Sequence, residues 1–592
     1  MPRITIDKQE LEFKPGQTIL QVANSAGIAI PQYCYHDGLS IVASCRICLA
    51  EVWAPNPRAN NKLEYLGKLL PTCQTTCTDG MVVYTDSPRS IANQKAVMEY
   101  LLINHPLDCP VCDQAGECFL QDYSYEYGRG VSRFQESKVK QPKKDLGPHV
   151  YLYADRCIMC SRCVRFTREV TGTAEIMVEG RGDRTQIDVF PGVALDNELA
   201  SNVIDLCPVG ALLDKDFLFA QRVWFLKETP SIDGITASGD NIRIDHNEGK
   251  VYRVKPRTNL QVNKWWISDE IRYGWKFVHR EDRLRMPTIV QHGRRVECDW
   301  ARALHTAVEG LRSATAGARS LGLLISPMLS CEDAFLLANF ARTLDDHPAF
   351  AIGPIPHHGQ DKAFPGGYTV YAEKCPNARG VRRILEAISG GRPVLSAEQF
   401  LSHLGEFAGV ILTGNYPSEW VTQVFADAMA RPAGNLGKRF SVLMDTLPNR
   451  LTGRPDEPGG ADVVLPAAAW VEKAGTFENA KGRLQAFEQA IPPYSLSKGE
   501  GQIALDLQAI LEGSAAPAPE ALAITLDAVP GQVPGAVEIA PPIGGLFNAA
   551  EVRRRMADPA RGGAAALSVF LSNVHLPPGV VQQQPDMEIV AL

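Results

Sequence analysis

A chain of 592 residues with 45% hydrophobic and 21% charged side chains has the make-up of a soluble globular protein, long enough for roughly three to five domains. The 60 basic and 67 acidic side chains leave a formal charge of −7, so there is no basic footprint for nucleic acid. No run of about 18 apolar residues is present to cross a membrane, and the opening MPRITIDKQELEF lacks a secretory signal pattern, which reads as a reducing, cytoplasmic setting. Cysteine is the outlier, with 15 in all and 12 of them before residue 210. In a reducing compartment such clustering argues for metal ligation rather than disulfides. The other three, Cys298, Cys331 and Cys375, stand alone and read as small buried apolar residues.

The first stretch, RITIDKQELEF, alternates as a hairpin does. PGQTILQVANSAGI follows as a turn into a short amphipathic helix, with Ile19, Leu20, Val22 and Ala23 on or near one face. The loop PQYCYHDGLSIVASCRICLAEV then supplies Cys34, Cys45 and Cys48, separated by ten and two residues. A fourth thiol comes from LPTCQTTCTDGMVV, where Cys73 and Cys77 compete. A loop of thiols with a distant fourth is how plant-type ferredoxins hold a 2Fe-2S centre. A zinc knuckle is the competing reading, but a ten-residue first gap is poor for so compact a site.

Ser87-Pro88 opens a helix, serine capping and proline in the first helical position. Its stripe of Ile91, Val97, Met98, Leu101 and Leu102 is expected to be buried, and its end delivers His105 to HPLDCPVCDQAGEC. Within those fourteen residues lie His105, Cys109, Cys112 and Cys118. Thiolate sulfur favours iron–sulfur clusters or zinc. Pro106 and Pro110 stop helix continuation, and Gly116 lets the chain turn tightly. Imidazole in place of a thiolate lowers a cluster's negative charge, which by analogy with Rieske centres raises its reduction potential. Residues 119–150, aromatic and then basic with prolines, read as an ordered connecting loop.

YLYADRCIMCSRCVRFTREVTG holds Cys157, Cys160 and Cys163 at two-residue gaps, and DLCPVGAL adds Cys207 after 43 intervening residues. Three close thiols plus a remote Cys-Pro follow the bacterial ferredoxin pattern for a 4Fe-4S cubane. With a single such run, Cys207 is expected to close the same cluster. Zinc prefers two separated pairs. The intervening EGRGDRTQIDVF reads as a turn and strand with a solvated arginine surface.

Residues 221–286 carry short alternating strands with turn signals at SGDN and HNEG, a small β domain, and no cysteine falls between Cys207 and Cys298. From about residue 300 the pattern is strand–helix alternation: SLGLLIS, CEDAFLLANFARTL, FAGVILTG and SEWVTQVFADAMA, then FSVLMD and ADVVLP. That order predicts a parallel sheet with crossover helices. After residue 513 the chain turns Ala/Pro/Gly-rich and reads as a linker or an extended arm lying on neighbours. No Gly-rich dinucleotide fingerprint follows a predicted strand and no P-loop is present, so no nucleotide-binding site is expected in this chain.

The HxxxCxxCxxxxxC run, the wide gap before Cys45 and the Cys157–Cys207 set closely resemble the large iron–sulfur subunit of NADH:quinone oxidoreductase, respiratory complex I. The resemblance covers nearly everything up to residue 290. More loosely, ADVVLPAAAWVEKAGTFENAKGRLQ, residues 461–485, is close to a recurring stretch of molybdopterin-enzyme α/β domains. The resemblance implies a multidomain α+β and α/β chain. Its parts would be a 2Fe-2S ferredoxin-like β-grasp domain at 1–85, a His/Cys-ligated 4Fe-4S segment at 86–150 and a 4Fe-4S ferredoxin-like domain at 151–220. A small β domain at 221–286, resembling a molybdopterin-oxidoreductase iron–sulfur head without its cysteines, and a degenerate molybdopterin-oxidoreductase-like α/β domain at 287–513 would follow, then the arm at 514–592.

The implied cofactors are one 2Fe-2S cluster on Cys34, Cys45, Cys48 and Cys73, a 4Fe-4S cluster on His105, Cys109, Cys112 and Cys118, and a second on Cys157, Cys160, Cys163 and Cys207. No molybdenum cofactor is expected. The resemblance selects Cys73 because the family's last cysteine precedes the turn glycine, here Gly80, by seven residues. The implied role is a relay of single electrons from a flavin/NADH-binding partner, entering at the His-ligated end, towards a two-cluster ferredoxin-like subunit and quinone. No residue of this chain acts as a catalytic acid, base or nucleophile. The chain would sit in a hetero-oligomer, peripheral to the cytoplasmic face of the inner (plasma) membrane. An electron-transfer subunit of a soluble NAD-linked hydrogenase or of a formate dehydrogenase is the alternative. The first would end soon after Cys207, and the second would need further cluster cysteines and a molybdenum ligand. A zinc-stabilised scaffold without redox role is the other.

Overall fold

The structure is a computed structural model describing residues 1–317, 320–433, 437–453, 460–513, 523–525, 536–538 and 541–576. The chain forms two compact units, one of residues 1–226 with 363–368 and one of 227–362 with 369–592. Among the described residues no helix is long and apolar enough to cross a membrane.

The first unit opens with the expected hairpin. Strands Arg3–Ile6 and Gln9–Glu12 are joined by Asp7 and Lys8, both at positive φ (45° and 73°), the geometry whose twist matches a two-residue hairpin. Arg3–Ile6 also runs parallel to Met81–Tyr84, which pairs with Leu49–Asn56, so a mixed six-stranded sheet results. Helix Ile19–Ser25 packs on it through Ile19, Leu20, Val22 and Ala23. A capping box fixes its start: Gln21 N donates to Thr18 Oγ1 (3.3 Å) and Thr18 N to Gln21 Oε1 (3.0 Å).

Helix Pro88–Leu102 starts as expected at Ser87, whose Oγ accepts from Ser90 N. Its inner face differs from the expected stripe, for Ile91 is 38% exposed whereas Ser90 and Gln94 are buried. Those two face inward because they bond Tyr84 O (3.1 Å) and Thr85 O (3.2 Å), main-chain acceptors at the end of the sheet. Residues 119–150 are not all loop, since Phe119–Tyr127 is a helix. Phe119, Tyr123 and Tyr127 recur every four residues on one face and stack in series, with Tyr33 against Tyr123 at 5.2 Å. Beyond it, Val150–Tyr153 pairs with Lys143–Asp145 and Leu212–Asp214, and Ile176–Glu179 with Gln186–Val189. The short helix Arg162–Phe166 carries Cys163, the last cysteine of the run, and a second, Asn202–Leu206, ends just before Cys207.

The second unit is built on a seven-stranded sheet in the spatial order Arg294–Glu297, Thr288–Gln291, Val463–Pro466, Phe440–Asp445, Phe407–Thr413, Ser320–Ile325 and Ala349–Ile352. The last five are parallel, as the strand–helix alternation predicts, and the first two add an antiparallel edge. Helices Trp300–Thr315, Cys331–Leu344, Ala378–Ile388 and Glu500–Leu511 bury their apolar faces on it.

Two expectations are corrected here. The strands Lys227–Ile232, Asn241–Asn247 and Lys250–Pro256 do not form a separate domain ending at residue 286. Their inner residues Ile232, Ile242, Val251 and Val254 share one core with Trp470, Phe477, Phe487 and Ile491, so three strands bury their apolar face on a later part of the chain. The arm expected over 514–592 is not an arm over 541–576. Helix Ala549–Met556 and the turns after it place Val552, Met556, Leu567 and Phe570 in the core of the large sheet, and Arg553 is buried against Glu332. Residues 514–522, 526–535, 539–540 and 577–592 of that expectation lie outside the described residues.

Candidate metal centres

All 15 cysteines are free thiols. In the first group, the segment after the Leu70–Pro71 strand docks on the start of helix Ile19–Ser25 through Leu20 N to Thr72 O and Ile19 N to Thr75 O, both 3.0 Å. Thr72 also bonds Cys48 O through its N (3.3 Å) and Oγ1 (3.0 Å). This lays Cys73 beside Cys48, with the two Sγ atoms 3.6 Å apart. The Cys45 thiol holds Cys34 low, while Cys34 and burial push Cys45 up. Cys48 and Cys73 repeat that pairing, and both also feel the charge of Cys34. Cys77 stands apart: burial alone pushes it up to about 11.

The second group is exposed at Cys109 and buried at Cys112 and Cys118. Gly116 makes its turn at φ +93°, where a Cβ would meet Val223 Cγ2 at 2.6 Å. Arg222 clasps the loop by donating to Cys112 O (2.8 Å) and to Pro110 O. Burial pushes Cys118 up to about 11, with Cys112 and Cys109 adding to it. His105 is pushed down to about 4 by burial and then by Arg156 and Lys138, which leaves the imidazole neutral, the form that ligates metal. Its link to the thiols runs through Arg156, which also acts on Cys112.

The third group lines a small pocket whose wall includes Cys157, Cys160, Cys163 and Cys207, with Leu152, Ile158, Ile187 and Leu212 around them. Burial pushes Cys157 up to about 12 and Cys160 to about 11, and raises Cys163 and Cys207 as well. Four thiols around one apolar pocket would ionise on binding a metal centre, which deprotonates its thiol ligands. Among the described residues no three His, Cys, Asp or Glu side chains converge closely enough for one metal ion.

The three groups meet. Cys118, Tyr33, Val209 and Ala211 form one core cluster against which Cys45, Cys157 and Cys207 also pack, so each group contributes a thiol to it. Phe119 N donates to Pro208 O (3.1 Å), joining the second and third groups, and a Cβ on Gly210 would lie 2.3 Å from Cys112 Sγ. Sequence reasoning missed Gly210 and three buried arginines here. Arg156 pairs with Asp108 (2.9 Å). Arg162 donates to Leu206 O (3.2 Å) and Tyr35 O (2.5 Å), and Arg165 to Ser40 O, Cys34 O and Cys160 O. Arginines beside cysteines in ADRCIMCSRCVRF were the available signal. Burial pushes His36 down to about 4, helped by Arg162 and Arg165, so it adds no charge there.

Cys298, Cys331 and Cys375 are buried in the second unit, as expected of small apolar residues, with Cys331 against Asn377 (3.5 Å).

Family models match in the same order. They are a 2Fe-2S iron-sulfur cluster binding domain (residues 2–88), an NADH-ubiquinone oxidoreductase-G iron-sulfur binding region (94–133) and the ferredoxin-like domain of NADH-quinone oxidoreductase subunit 3 (147–213). An NDSU1/NuoG-like 4Fe-4S domain (226–276) and a molybdopterin oxidoreductase model (459–509) follow. The fourth match falls on a stretch without cysteine. The NADH-quinone oxidoreductase G subunit of Rickettsia felis is 38% identical over 344 residues, 58% of this chain and 49% of that protein. The NADH-ubiquinone oxidoreductase 75 kDa subunit of Reclinomonas americana is 40% identical over 356 residues, 60% of this chain and 50% of its own. The mitochondrial NADH-ubiquinone oxidoreductase 78 kDa subunit of Neurospora crassa is 42% identical over 303 residues, covering 51% of this chain and 39% of that one. A solved NAD+-reducing NiFe-hydrogenase in the H2-reduced state matches 38% of this chain and 91% of its own at 29% identity, with a TM-score of 0.33, too low to carry an argument. The chain spans about half the length of the curated relatives it matches. With its iron–sulfur binding domain matches in this order, the chain is similar over roughly three fifths of its length to the G-type subunit of NADH-quinone oxidoreductase and to the 75 kDa subunit of NADH-ubiquinone oxidoreductase.

Proposed function

We propose that this chain is the electron-relaying subunit of an NADH:quinone oxidoreductase, holding one 2Fe-2S and two 4Fe-4S clusters. The ligand sets are Cys34, Cys45, Cys48 and Cys73; His105, Cys109, Cys112 and Cys118; and Cys157, Cys160, Cys163 and Cys207. The observation that carries the reading is the common core, in which thiols of all three groups pack within one unit. When bound, such clusters supply one-electron redox chemistry, while the protein supplies position and tuning. Here the chain's residues exclude water from the third group with Leu152, Ile187 and Leu212, and keep His105 neutral for ligation.

The pairing of Cys73 with Cys48 supports Cys73 as the fourth 2Fe-2S ligand, and the isolation of Cys77 supports a packing role for it. The lack of three converging donors among the described residues favours clusters, whose ligands spread around several atoms, over zinc, which needs four donors about 2 Å from one point. The partners are a flavin/NADH-binding subunit and a two-cluster ferredoxin-like subunit, in a peripheral arm on the cytoplasmic face of the membrane. In the α/β unit we propose a degenerate molybdopterin-oxidoreductase scaffold without molybdenum.

Metal analysis of the anaerobically reconstituted full chain tests the reading. About ten iron atoms per chain are expected; about six iron with stoichiometric zinc contradicts the cluster count.

A further inference from the structure

Two guanidinium groups lie between the first and third cysteine groups with no carboxylate to pair with among the described residues. Arg162 and Arg165 are 6% and 8% exposed. Arginine stays charged at any physiological pH, and an uncompensated buried charge is strongly unfavourable. The acceptors they have are main-chain carbonyls, and those carbonyls belong to the two groups. Arg165 Nη2 grips Cys34 O on one side and Cys160 O (3.4 Å) on the other. Arg162 Nη2 takes Tyr35 O, next to Cys34, while its Nη1 takes Leu206 O (3.2 Å), next to Cys207. Both Nε atoms are buried and make no hydrogen bond. Glu169, one turn beyond Arg165, bonds Ser40 N (2.8 Å) and Ser40 Oγ (2.5 Å).

Several other buried arginines have fuller closure, although Arg272, Arg283 and Arg295 also leave a buried Nε unbonded. Arg156 has Asp108, Arg283 has both oxygens of Glu472, and Arg439 has four carbonyls with its Nε included. A negative group held by the surrounding thiols would supply the counter-charge that Arg162 and Arg165 lack among the described residues, and Arg162 itself lines the third group's pocket.

We propose that Arg162 and Arg165 are positioning residues that serve as shared counter-ions to the groups bound at Cys34–Cys73 and Cys157–Cys207, raising the reduction potential of both and fixing their separation. The proposal rests on the cluster reading above. Reduction adds one electron, hence one unit of negative charge, to a bound cluster; the fixed cation stabilises that reduced state and no proton moves, since both arginines remain charged throughout. The grips of Arg165 on Cys34 O and Cys160 O, and of Arg162 on Tyr35 O and Leu206 O, make the same two side chains the clamp between the sites.

The test is an EPR-monitored redox titration, with iron content measured alongside, of the reconstituted full chain as wild type, Arg162→Met and Arg162→Lys. Methionine keeps length and apolar packing without charge; lysine keeps charge without the fork. The methionine variant is expected to shift the one-electron equilibrium of both the 2Fe-2S and the Cys157–Cys207 cluster about tenfold towards the oxidised form, about 59 mV downward. The lysine variant should stay within a fraction of that, and the His105-containing site should not move. Equal potentials in all three proteins overturn the proposal. Should the methionine variant fail to load iron, the lysine variant is expected to load fully; equal failure of both overturns the counter-ion role. Absence of any iron–sulfur signal in the wild type would instead sink the cluster reading.

Discussion

The two units bury charge and sulfur in opposite ways. In residues 227–592 most buried ions close on each other: Arg283 on Glu472, Lys473 on Asp333 and Glu500, Lys498 on Asp506, and Arg553 on Glu332. The three cysteines there are buried and far apart in the sequence. In residues 1–226 the thiols are gathered, burial holds most of them protonated, and two arginines have no carboxylate among the described residues. In one unit the buried ions are paired with each other; in the other, thiols gather beside arginines whose acceptors are carbonyls. Charge satisfaction, rather than secondary structure, is what separates a scaffold from a site.

Iron removal should expose this contrast most. Anaerobic chelation of the loaded chain is expected to strip amide protection from residues 30–50, 105–118 and 157–163, with the parallel strands at 320–325, 407–413 and 440–445 unchanged in hydrogen exchange, because metal binding and folding are coupled only in the first unit. Uniform loss across both units would erase the distinction.

The converse perturbation is Glu472→Ala. It strands Arg283, whose Nη1 and Nη2 reach the carboxylate at 2.5 and 2.7 Å, and should cost about 3–5 kcal/mol in denaturant unfolding of the second unit. The visible spectrum of the clusters should stay as in wild type. A spectrum that collapses with it would mean that the units are not independent.

Finer resolution comes from Gly210→Ala. The added Cβ would sit 2.3 Å from Cys112 Sγ, an overpacking of about 1–3 kcal/mol. EPR should show the His/Cys site altered and the 2Fe-2S signal intact. At the first group, Cys73→Ser should abolish the 2Fe-2S signal and Cys77→Ser should preserve it; the reverse pattern moves the fourth ligand.

The smallest effect is one of pH. His279 is held at about 4 by burial, Arg283 and Lys250, and its Nε2 accepts from Val251 N (2.9 Å). A folded-state value below the unfolded one of 6.5 means the unfolded chain binds the proton first. The contribution is therefore present above pH 6.5 and lost as pH falls towards about 4. His279→Gln should flatten that segment of the stability–pH curve, and an unchanged slope would assign it to other groups.

Much of this was legible in the residues. The cysteine spacings divide the thiols into three groups, and the fold packs Cys45, Cys118, Cys157 and Cys207, at least one from each, around one core. The strands at 320–325, 407–413, 440–445 and 463–466 were legible as short apolar runs between helices. What stayed hidden depends on partners distant in the chain. Arg165 looks like any surface arginine until Cys34, more than a hundred residues earlier, lies against it. Gly210 has no signal until Cys112 arrives beside it. The strands of 227–256 read as a domain because their partners, Trp470 and Phe487, lie over two hundred residues away. The helix at 119–127 was readable from its aromatic spacing and was masked by the basic, proline-bearing run after it.

Mössbauer spectroscopy of the full chain loaded with iron-57 tests the central claim most directly. About one fifth of the iron should be in a 2Fe-2S environment and about four fifths in 4Fe-4S environments, as one small and two cubane clusters require. Mononuclear iron in tetrahedral sulfur, or a single cluster type accounting for all the iron, would contradict it.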